Sequence, residues 1–356
     1  MLYLSLTKVF LASASAFFIG IIITPFLTNF LYKHKCWKKT ADKIDPLGNS
    51  TPIFNELDKE RAKRAPRMGG IIIWSSVLII TIIFAVISYF FPDNALSQKL
   101  NFLSRNQTWL PLFTLIFASL LGLVDDILQV TGEAGTKSGL SFYQRLSVVV
   151  ILGLIGGYWF YFKLGMLAIT LPFIGSLYLG WLIIPLFILV MIALFSSGVI
   201  DGLDGLSGGV MAIIFASYTV IAFFQSQFDL AAFCGAITGG LLAFLWFNIP
   251  PARFYMSETG ILGLTTALTV VAFLTDSVAT LPIIALPLVA TVLSVVIQLA
   301  SKKFRHGKKV FLVAPLHHHF EALGWPAYKV VMRYWVIGII FAIIGLIITL
   351  IGGPKL

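Results

Sequence analysis

Long apolar runs recur along the whole chain, and they constrain its fold more than any other feature of the sequence. A run of about 18 apolar residues is long enough to cross a bilayer. Hydropathy predicts ten such spans, with ends expected to be accurate to about four residues. They lie at 8–31, 70–91, 108–127, 146–163, 178–199, 208–227, 230–249, 259–275, 279–300 and 334–352. The sequence therefore predicts an all-α, polytopic membrane protein.

Composition supports the same fold class. The chain is 58% hydrophobic and only 11% charged, whereas charged residues make up about a quarter of a soluble domain. The first run is predicted to be a span and not a cleavable signal peptide, because its basic cluster follows it. We expect one membrane domain over 1–356, with larger loops at 32–67 and 301–332. Cys36 and Cys234 are predicted to be unpaired thiols.

The basic residues are distributed unevenly between the two sides of the predicted bundle. Alternate connections, beginning with the one after the first span, hold 20 of the 25 Lys and Arg residues, and the remaining connections hold three. The positive-inside rule predicts that the basic set is cytoplasmic and that both termini are extracytoplasmic. Orientation thus accounts for most of the net charge of +10, and no nucleic acid partner is needed to explain it.

Acidic residues are rare in this chain, and two pairs stand at the ends of spans. Asp125 and Asp126 close the third span, and neighbours on a helix point about 100° apart. We therefore expect them to serve different tasks, although an ordinary interfacial pair is the alternative. Asp201 and Asp204 lie in SSGVIDGLDGLSGG and would share a face if helical. Glycine-rich backbone beside carboxylates suits a phosphate or a metal–phosphate ligand; a tight turn with solvated carboxylates is the alternative.

Two further clusters occupy later connections. Glu258 stands near the start of the eighth span, where a carboxylate also favours the helix dipole, so a plain N-terminal residue is the alternative. His317, His318 and His319 lie inside a loop, which argues against a terminal affinity tag. Adjacent helical side chains diverge, so a single-metal chelate is a poor explanation. We expect these imidazoles to donate hydrogen bonds to phosphate oxygens; a surface loop is the alternative.

All four clusters belong to connections that the charge distribution assigns to the cytoplasmic side. This agreement favours one composite site over four separate features. Carboxylates with glycine-rich backbone and basic loops suit phosphoryl chemistry assisted by Mg²⁺, which binds one or two carboxylates together with substrate phosphates. A site at the membrane rim implies one water-soluble substrate and one lipid substrate.

The motifs also resemble a known family. PRMGG, GLVDDIL, IDGLDGLSGG, the FNIPP…MSETG segment and HHHFE occur in this order over nearly the whole chain. The set is similar to the polyprenyl-phosphate N-acetylhexosamine-1-phosphate transferase superfamily. HHHFE resembles the motif of its phospho-N-acetylmuramoyl-pentapeptide transferase branch. That family has ten spans in the same orientation.

The resemblance implies a reaction, a cofactor and a location. The expected reaction transfers phospho-MurNAc-pentapeptide from its UDP-linked form to undecaprenyl phosphate, which yields lipid I and UMP. Mg²⁺ is the expected cofactor. The protein would lie in the bacterial inner (plasma) membrane with its active site facing the cytoplasm. A homodimer is one assembly we consider.

The resemblance also implies roles for individual residues. Asp125, paired with Asp126, is the candidate to deprotonate or activate the lipid phosphate. Asp201 and Asp204 match carboxylates near the nucleotide and phosphates, and Glu258 stands where the family usually has a metal-binding Asp. Glu258 and Asp201 are the expected metal ligands, and Asn248 and Tyr255 are expected to contact the nucleotide. Lys137 and Arg67 are the expected substrate-binding cations. His317, His318 and His319 are expected to border the phosphate and sugar.

Several positions depart from the family pattern, which usually has Asn at Gly198, Lys at Gln129 and Asp at Glu258. Its KTPTMGG run is RAPRMGG in this chain. Glu258 can still ligate Mg²⁺ with a longer arm. Without Lys at Gln129, a phosphate-binding cation is expected from Lys137, Arg145 or Arg67. The departures leave a non-catalytic relative as one alternative. A transferase of GlcNAc-1-phosphate to a polyprenyl phosphate is another, and an ion-coupled transporter or channel is a third.

Overall fold

The computed structural model describes residues 2–37, 65–104, 107–132 and 139–353. Within these ranges ten helices are long and apolar enough to cross a membrane, which confirms the expected fold class and number of spans. The α-helices are, from α1 to α13, Leu2–Lys33, Ile71–Phe90, Ala95–Leu100, Trp109–Thr131, Phe142–Tyr158, Ile183–Ser196, Leu206–Phe224, Phe228–Asn248, Ser257–Leu274, Leu281–Ile284, Leu286–Phe304, Leu316–Ala322 and Ala327–Gly352.

Several helix ends lie outside the expected accuracy. The first span begins at Leu2 instead of residue 8. The ninth begins at Leu286 instead of residue 279 because Pro282 and Pro287 divide this stretch into the short α10 and the spanning α11, and proline cannot continue a preceding helix. The tenth begins at Ala327 instead of residue 334, since its first two turns carry charged residues that lower the hydropathy.

A small hairpin lies between the fourth and fifth spans, and the sequence analysis missed it. Strands β1 (Ala168–Leu171) and β2 (Gly175–Tyr178) pair in antiparallel register. The carboxylate of Asp276 accepts hydrogen bonds from the backbone N–H and hydroxyl of Thr170 at 3.0 and 2.5 Å. The backbone N–H of Phe173 donates to the carbonyl of Gly352. The hairpin therefore joins the far ends of α9 and α13.

Three helices form the centre of the bundle. Within the apolar windows of α7, α8 and α9, 72%, 72% and 89% of the residues are buried, compared with 22–44% for the other seven spans. The less buried spans leave apolar side chains on the outer surface, as expected where helices face lipid. The centre of the bundle is thus made by helices whose ends also border the acidic clusters.

One close helix contact positions the acidic residues. A Cβ atom on Gly122 of α4 would overlap the backbone carbonyl of Glu258 at the start of α9. The two backbones are therefore in direct contact, which small residues permit between membrane helices. Asp125 and Asp126 follow one turn after Gly122, so this contact brings them to the N-terminus of α9.

Candidate active site

Asp126 is the most completely bonded carboxylate of the site. It is fully buried and accepts a charge-assisted hydrogen bond from Arg67 Nε at 2.9 Å. Its second oxygen accepts from the Ser257 hydroxyl at 2.6 Å and from the backbone N–H and hydroxyl of Thr259 at 2.9 and 2.6 Å. Four donors on one carboxylate fix its position.

Asp125 points to a different set of partners. It is 1% exposed and accepts hydrogen bonds from Gln129 Nε2 at 2.9 Å and from the backbone N–H of Leu140 at 2.5 Å. Arg145 Nη1 lies 3.7 Å from the same carboxylate. The two neighbouring aspartates thus have separate environments, consistent with the divergence expected on a helix.

Two arginines from distant segments accompany these carboxylates. Arg145, near the start of α5, forms an ion pair with Glu258 as well as approaching Asp125. Arg67 pairs with Asp126. Burial lowers the pKa of the Arg67 guanidinium, but the neighbouring carboxylates of Asp126 and Glu258 outweigh burial and leave that pKa raised. Arg67 therefore stays a cation. Lys137, also expected to bind substrate, lies outside the described residues.

The DGLDG segment is a turn and not a helix. After a single 3₁₀ turn at Ser197–Ile200 the chain bends through residues 201–205, so the two aspartates do not share a helical face. Asp201 accepts hydrogen bonds from the Ser207 hydroxyl at 2.6 Å and from the backbone N–H of Ser257 at 2.8 Å. Burial raises the pKa of Asp201, and these two hydrogen bonds oppose that shift.

Asp204 borders a different part of the same turn. One of its oxygens accepts from the backbone N–H of Ala252 at 3.2 Å. The other, Oδ1, is buried and has no hydrogen-bond partner among the residues that the structure describes. A buried acceptor without a donor is costly, so Asp204 Oδ1 is an open position for a ligand donor.

The residues expected to hold the nucleotide border the DGLDG turn. The buried Asn248 side chain accepts from the backbone N–H of Gly205 at 2.9 Å and donates to the carbonyl of Phe254 at 2.8 Å. Its amide therefore joins two backbone segments of the site. Tyr255 is partly exposed, and its backbone bonds to Pro66 and Gly69 hold the 65–70 segment beside α9.

The histidine run forms its own helix, α12, against the DGLDG turn. A Cβ atom on Gly202 would lie 2.6 Å from His317 Nε2 and 2.8 Å from His318 Nε2. Both histidines are buried, and their rings lie 4.2 Å apart. His319 points elsewhere and accepts from the backbone N–H of Leu312 at 3.2 Å. The three side chains therefore diverge, as expected for consecutive helical positions.

Glu321 is a site residue that the sequence analysis missed. Its carboxylate lies 2.7 Å from His318 Nδ1, and both groups are buried. A carboxylate in this position favours a proton on Nδ1 and fixes the ring, with Nε2 directed to Gly202. The available signal was the spacing, because residues three apart on a helix are neighbours.

The donor set fits a small divalent cation. No group of three or more His, Cys, Asp or Glu side chains forms a chelate within the described ranges, but Mg²⁺ needs only one or two carboxylates beside substrate phosphates. The site contains four carboxylates and two guanidinium groups. The carboxylates are those of Asp125, Asp126, Asp201 and Glu258, and the guanidinium groups are those of Arg67 and Arg145. The excess of negative charge and the oxygen-only donors favour a hard cation.

Hydrogen bonds connect three of the four sequence clusters, and a close contact joins the histidine run to them. Asp126 joins the 65–70 segment to the start of α9, and Asp201 joins the DGLDG turn to Ser257 there. Gly202 in turn contacts the histidines of α12. The clusters that the sequence placed on one side of the membrane are therefore contiguous in space.

Comparisons with known proteins agree with this geometry. The model of glycosyl transferase family 4 matches residues 108–276. Proteins named phospho-N-acetylmuramoyl-pentapeptide-transferase are similar over almost the whole chain. That of Anoxybacillus flavithermus is 34% identical over 346 residues, covering 96% of this chain and 98% of the relative. That of Chloroflexus aurantiacus is 30% identical over 365 residues, covering 98% and 92%. The chain belongs to the phospho-N-acetylmuramoyl-pentapeptide transferase family.

Membership in this family confirms the resemblance drawn from the five motifs. It makes the protein a multi-pass membrane enzyme of the phosphoglycosyl transferase class, active in peptidoglycan synthesis. The relative from Geobacillus thermodenitrificans, 33% identical over 344 residues, carries the same name and covers 95% of this chain and 97% of its own length.

Proposed function

We propose that this protein transfers phospho-MurNAc-pentapeptide from UDP-MurNAc-pentapeptide to undecaprenyl phosphate. The products would be lipid I and UMP, in the first membrane step of peptidoglycan synthesis. One observation carries the proposal: carboxylates and arginines suited to binding phosphates are gathered at the ends of membrane helices, where a soluble nucleotide and a lipid phosphate can meet. The names of the full-length relatives supply the substrate class.

The proposed reaction is a displacement at phosphorus. A phosphate oxygen of the lipid bonds to the β-phosphorus of the sugar nucleotide, and the bond from that phosphorus to the bridging oxygen breaks, so UMP leaves. Asp125 would accept the proton of the lipid phosphate. Its hydrogen bonds from Gln129 and Leu140 fix the carboxylate in place before the substrate arrives.

The cations and histidines would act on the other phosphate oxygens. Arg67 and Arg145 lie beside the carboxylates, where they would hold the diphosphate in line with the attacking lipid. His317 and His318 border the DGLDG turn and would donate to the leaving phosphate, which stabilises the charge that develops there. His318 would donate from Nε2 as an imidazolium, because its Nδ1 proton is held by Glu321. Asn248 and Tyr255 are proposed to border the uracil.

Mg²⁺ is the proposed cofactor. Glu258 and Asp201 would hold it, since Asp201 accepts the backbone N–H of Ser257 and Glu258 is the next residue of α9. The ion would neutralise phosphate oxygens and orient the leaving group. Asp126 contributes differently, because all four of its hydrogen bonds come from the protein. It holds Arg67 and the start of α9 together.

The distribution of Lys and Arg supports a further part of the proposal, in which the site faces the cytoplasm of a bacterial inner membrane and both termini face outward. UDP-linked substrates are made in the cytoplasm, so this orientation gives the nucleotide access. Cysteine labelling of single engineered sites at residue 3 and residue 308 in intact cells would test it. Labelling of residue 308 by an impermeant reagent would contradict the orientation.

The reaction is tested with purified protein, undecaprenyl phosphate and either UDP-MurNAc-pentapeptide or UDP-GlcNAc. We expect Mg²⁺-dependent release of UMP only with the first nucleotide, and a lipid product whose mass contains MurNAc-pentapeptide. A lipid carrying GlcNAc alone would show the sister activity instead. No UMP release from either nucleotide would favour a non-catalytic relative.

A further inference from the structure

Lys329 and Arg333 form an unusual basic pair at the start of α13. They lie four residues apart, so they share one face of the helix, and both are exposed. Lys329 Nζ lies 5.2 Å and Arg333 Cζ 4.1 Å from the centre of the same indole ring, that of Trp325. We name these three residues the basic indole site.

The basic indole site is held in place by the histidine helix. Trp325 stacks on Phe320 of α12, with ring centres 4.8 Å apart and planes 18° apart. The backbone N–H of Trp325 also donates to the carbonyl of Phe320. Cation–π contacts then restrict the two cationic side chains, so this face presents two positive charges with reduced conformational freedom.

Nothing in the described part of the chain neutralises this pair. Neither Lys329 nor Arg333 forms an ion pair with a carboxylate there, and the first turn of α13 contains no acidic residue. Like charges four apart on a helix repel each other, and cations are unfavourable near a helix N-terminus. An anion bound between them would relieve both costs, and the planar guanidinium suits a phosphate.

The surroundings indicate that this phosphate belongs to a lipid. Met332 and Val336 lie three residues after Lys329 and Arg333, respectively, and are 59% and 57% exposed. They belong to the exposed apolar surface of a helix that is long and apolar enough to cross a membrane. A phosphate at the helix start would therefore continue into an apolar tail running along the same helix.

The turns of α13 that carry the basic indole site also contact the candidate active site. Tyr334 and Trp335 immediately follow Arg333. The ring of Tyr334 lies 6.4 Å from that of His317, and Trp335 Nε1 donates to the carbonyl of Gly205 at 3.2 Å. A lipid phosphate held by the pair would therefore lie on the same two turns of α13 that contact the DGLDG turn from another face.

We propose that Lys329 and Arg333, held over Trp325, bind the phosphate of the polyprenyl acceptor lipid before it reaches Asp125. This inference rests on the proposed function for the identity of the lipid. It adds a second anion site that the carboxylate and histidine motifs do not contain. Simple attraction of bulk anionic phospholipid is the competing explanation.

The main test compares two double variants that remove the same charge. Lys329→Gln with Arg333→Gln alters the site, and Lys308→Gln with Lys309→Gln alters an exposed basic pair after α11. In phosphatidylcholine nanodiscs we expect the first variant to raise KM for undecaprenyl phosphate at least tenfold. Its kcat and its KM for the nucleotide should stay within twofold of wild type, and the control should stay within twofold throughout.

Equilibrium binding of undecaprenyl phosphate without nucleotide tests the site independently of turnover. We expect at least tenfold weaker binding for the Lys329/Arg333 variant and unchanged binding of undecaprenol, which lacks the phosphate. Trp325→Phe should keep most of the affinity, and Trp325→Ala should lose it. If the wild type binds the lipid phosphate in this way but releases no UMP, the proposed function fails while the site stands.

Three outcomes would overturn the proposal. The first is a rise of less than threefold in KM and Kd for the lipid phosphate. The second is an equal rise in the Lys308/Lys309 control. The third is an effect that occurs only when phosphatidylglycerol is added to the nanodiscs, which would show attraction of bulk anionic lipid.

Discussion

Two parts of the candidate site are built in different ways. The carboxylate centre consists of Asp125, Asp126, Asp201 and Glu258 with Arg67 and Arg145. Asp125, Asp126 and Glu258 lie on two long membrane helices that are in backbone contact at Gly122. The histidine helix, α12, has seven residues. It is tied to α11 by side chains, with Ser294 accepting from the backbone of Leu316 and Gln298 from that of Val310 and Phe311.

This difference indicates that the two parts of the site have different roles. Charges that must stay close together are fixed by several donors each, because repulsion between carboxylates would otherwise separate them. The histidines carry less charge and are held by a helix of seven residues. We therefore expect substitutions in the carboxylate centre to cost more activity than those in the histidine helix.

The largest loss is expected for Asp125→Asn. The amide keeps the shape of the side chain but accepts a proton poorly, so UMP release should fall at least about 1,000-fold, within the range for general acid–base catalysis. The thermal midpoint should change little. Asp93→Asn, an exposed position between the second and third spans, is the matched control. Activity within tenfold of wild type would remove Asp125 from the proton-accepting role.

Asp126→Asn should affect folding as well as activity. The change leaves Arg67 without its buried partner, and breaking such a pair costs about 3–5 kcal/mol. We expect a lower thermal midpoint in detergent and loss of Mg²⁺-dependent turnover. A variant that is inactive but as stable as wild type would instead assign Asp126 to the chemistry.

His317→Ala and His318→Ala should each reduce kcat by about 100-fold, the range for removal of one preorganised donor, without unfolding the protein. His306→Ala tests an exposed histidine on the same loop. If the two site variants lost more activity than Asp125→Asn, the proposed ranking of the two parts would be reversed.

Glu321→Gln should lower kcat by about tenfold, the value of one charge-assisted hydrogen bond. Its KM values should change little, because Glu321 acts through His318. In the His318→Ala background the same change should have almost no further effect. Independent, additive losses would show that Glu321 does not act by positioning the imidazole.

The smallest effect is expected for Gln129→Lys, which restores the residue usual in the family. Arg67 and Arg145 already provide cations at the site, so KM for the nucleotide should change by less than about threefold. A large gain in affinity would show that these arginines do not replace the missing lysine.

Local patterns predicted much of this molecule. The predicted number of ten spans was confirmed, because each membrane span is one contiguous apolar run in the sequence. The partners of the site residues could not be predicted from local patterns, because they are far apart in the sequence. Arg145 and Glu258 are 113 positions apart, and Asp126 and Thr259 are 133 apart. The prediction that Asp201 and Asp204 share a helical face was wrong, because the helical turn ends at Ile200. The hairpin strands of four residues each were too short to predict.

The unequal bonding of the site carboxylates has a consequence for antibiotic design. A compound that binds Asp126 must displace hydrogen-bond donors that the protein already supplies, so this contact adds little to its affinity. Asp204 Oδ1 is buried and accepts no hydrogen bond from the described residues. An ammonium group placed there would gain roughly 10- to 100-fold in affinity, the value of a hydrogen bond to a charged group. Medicinal chemistry on this enzyme should therefore start from the DGLDG turn.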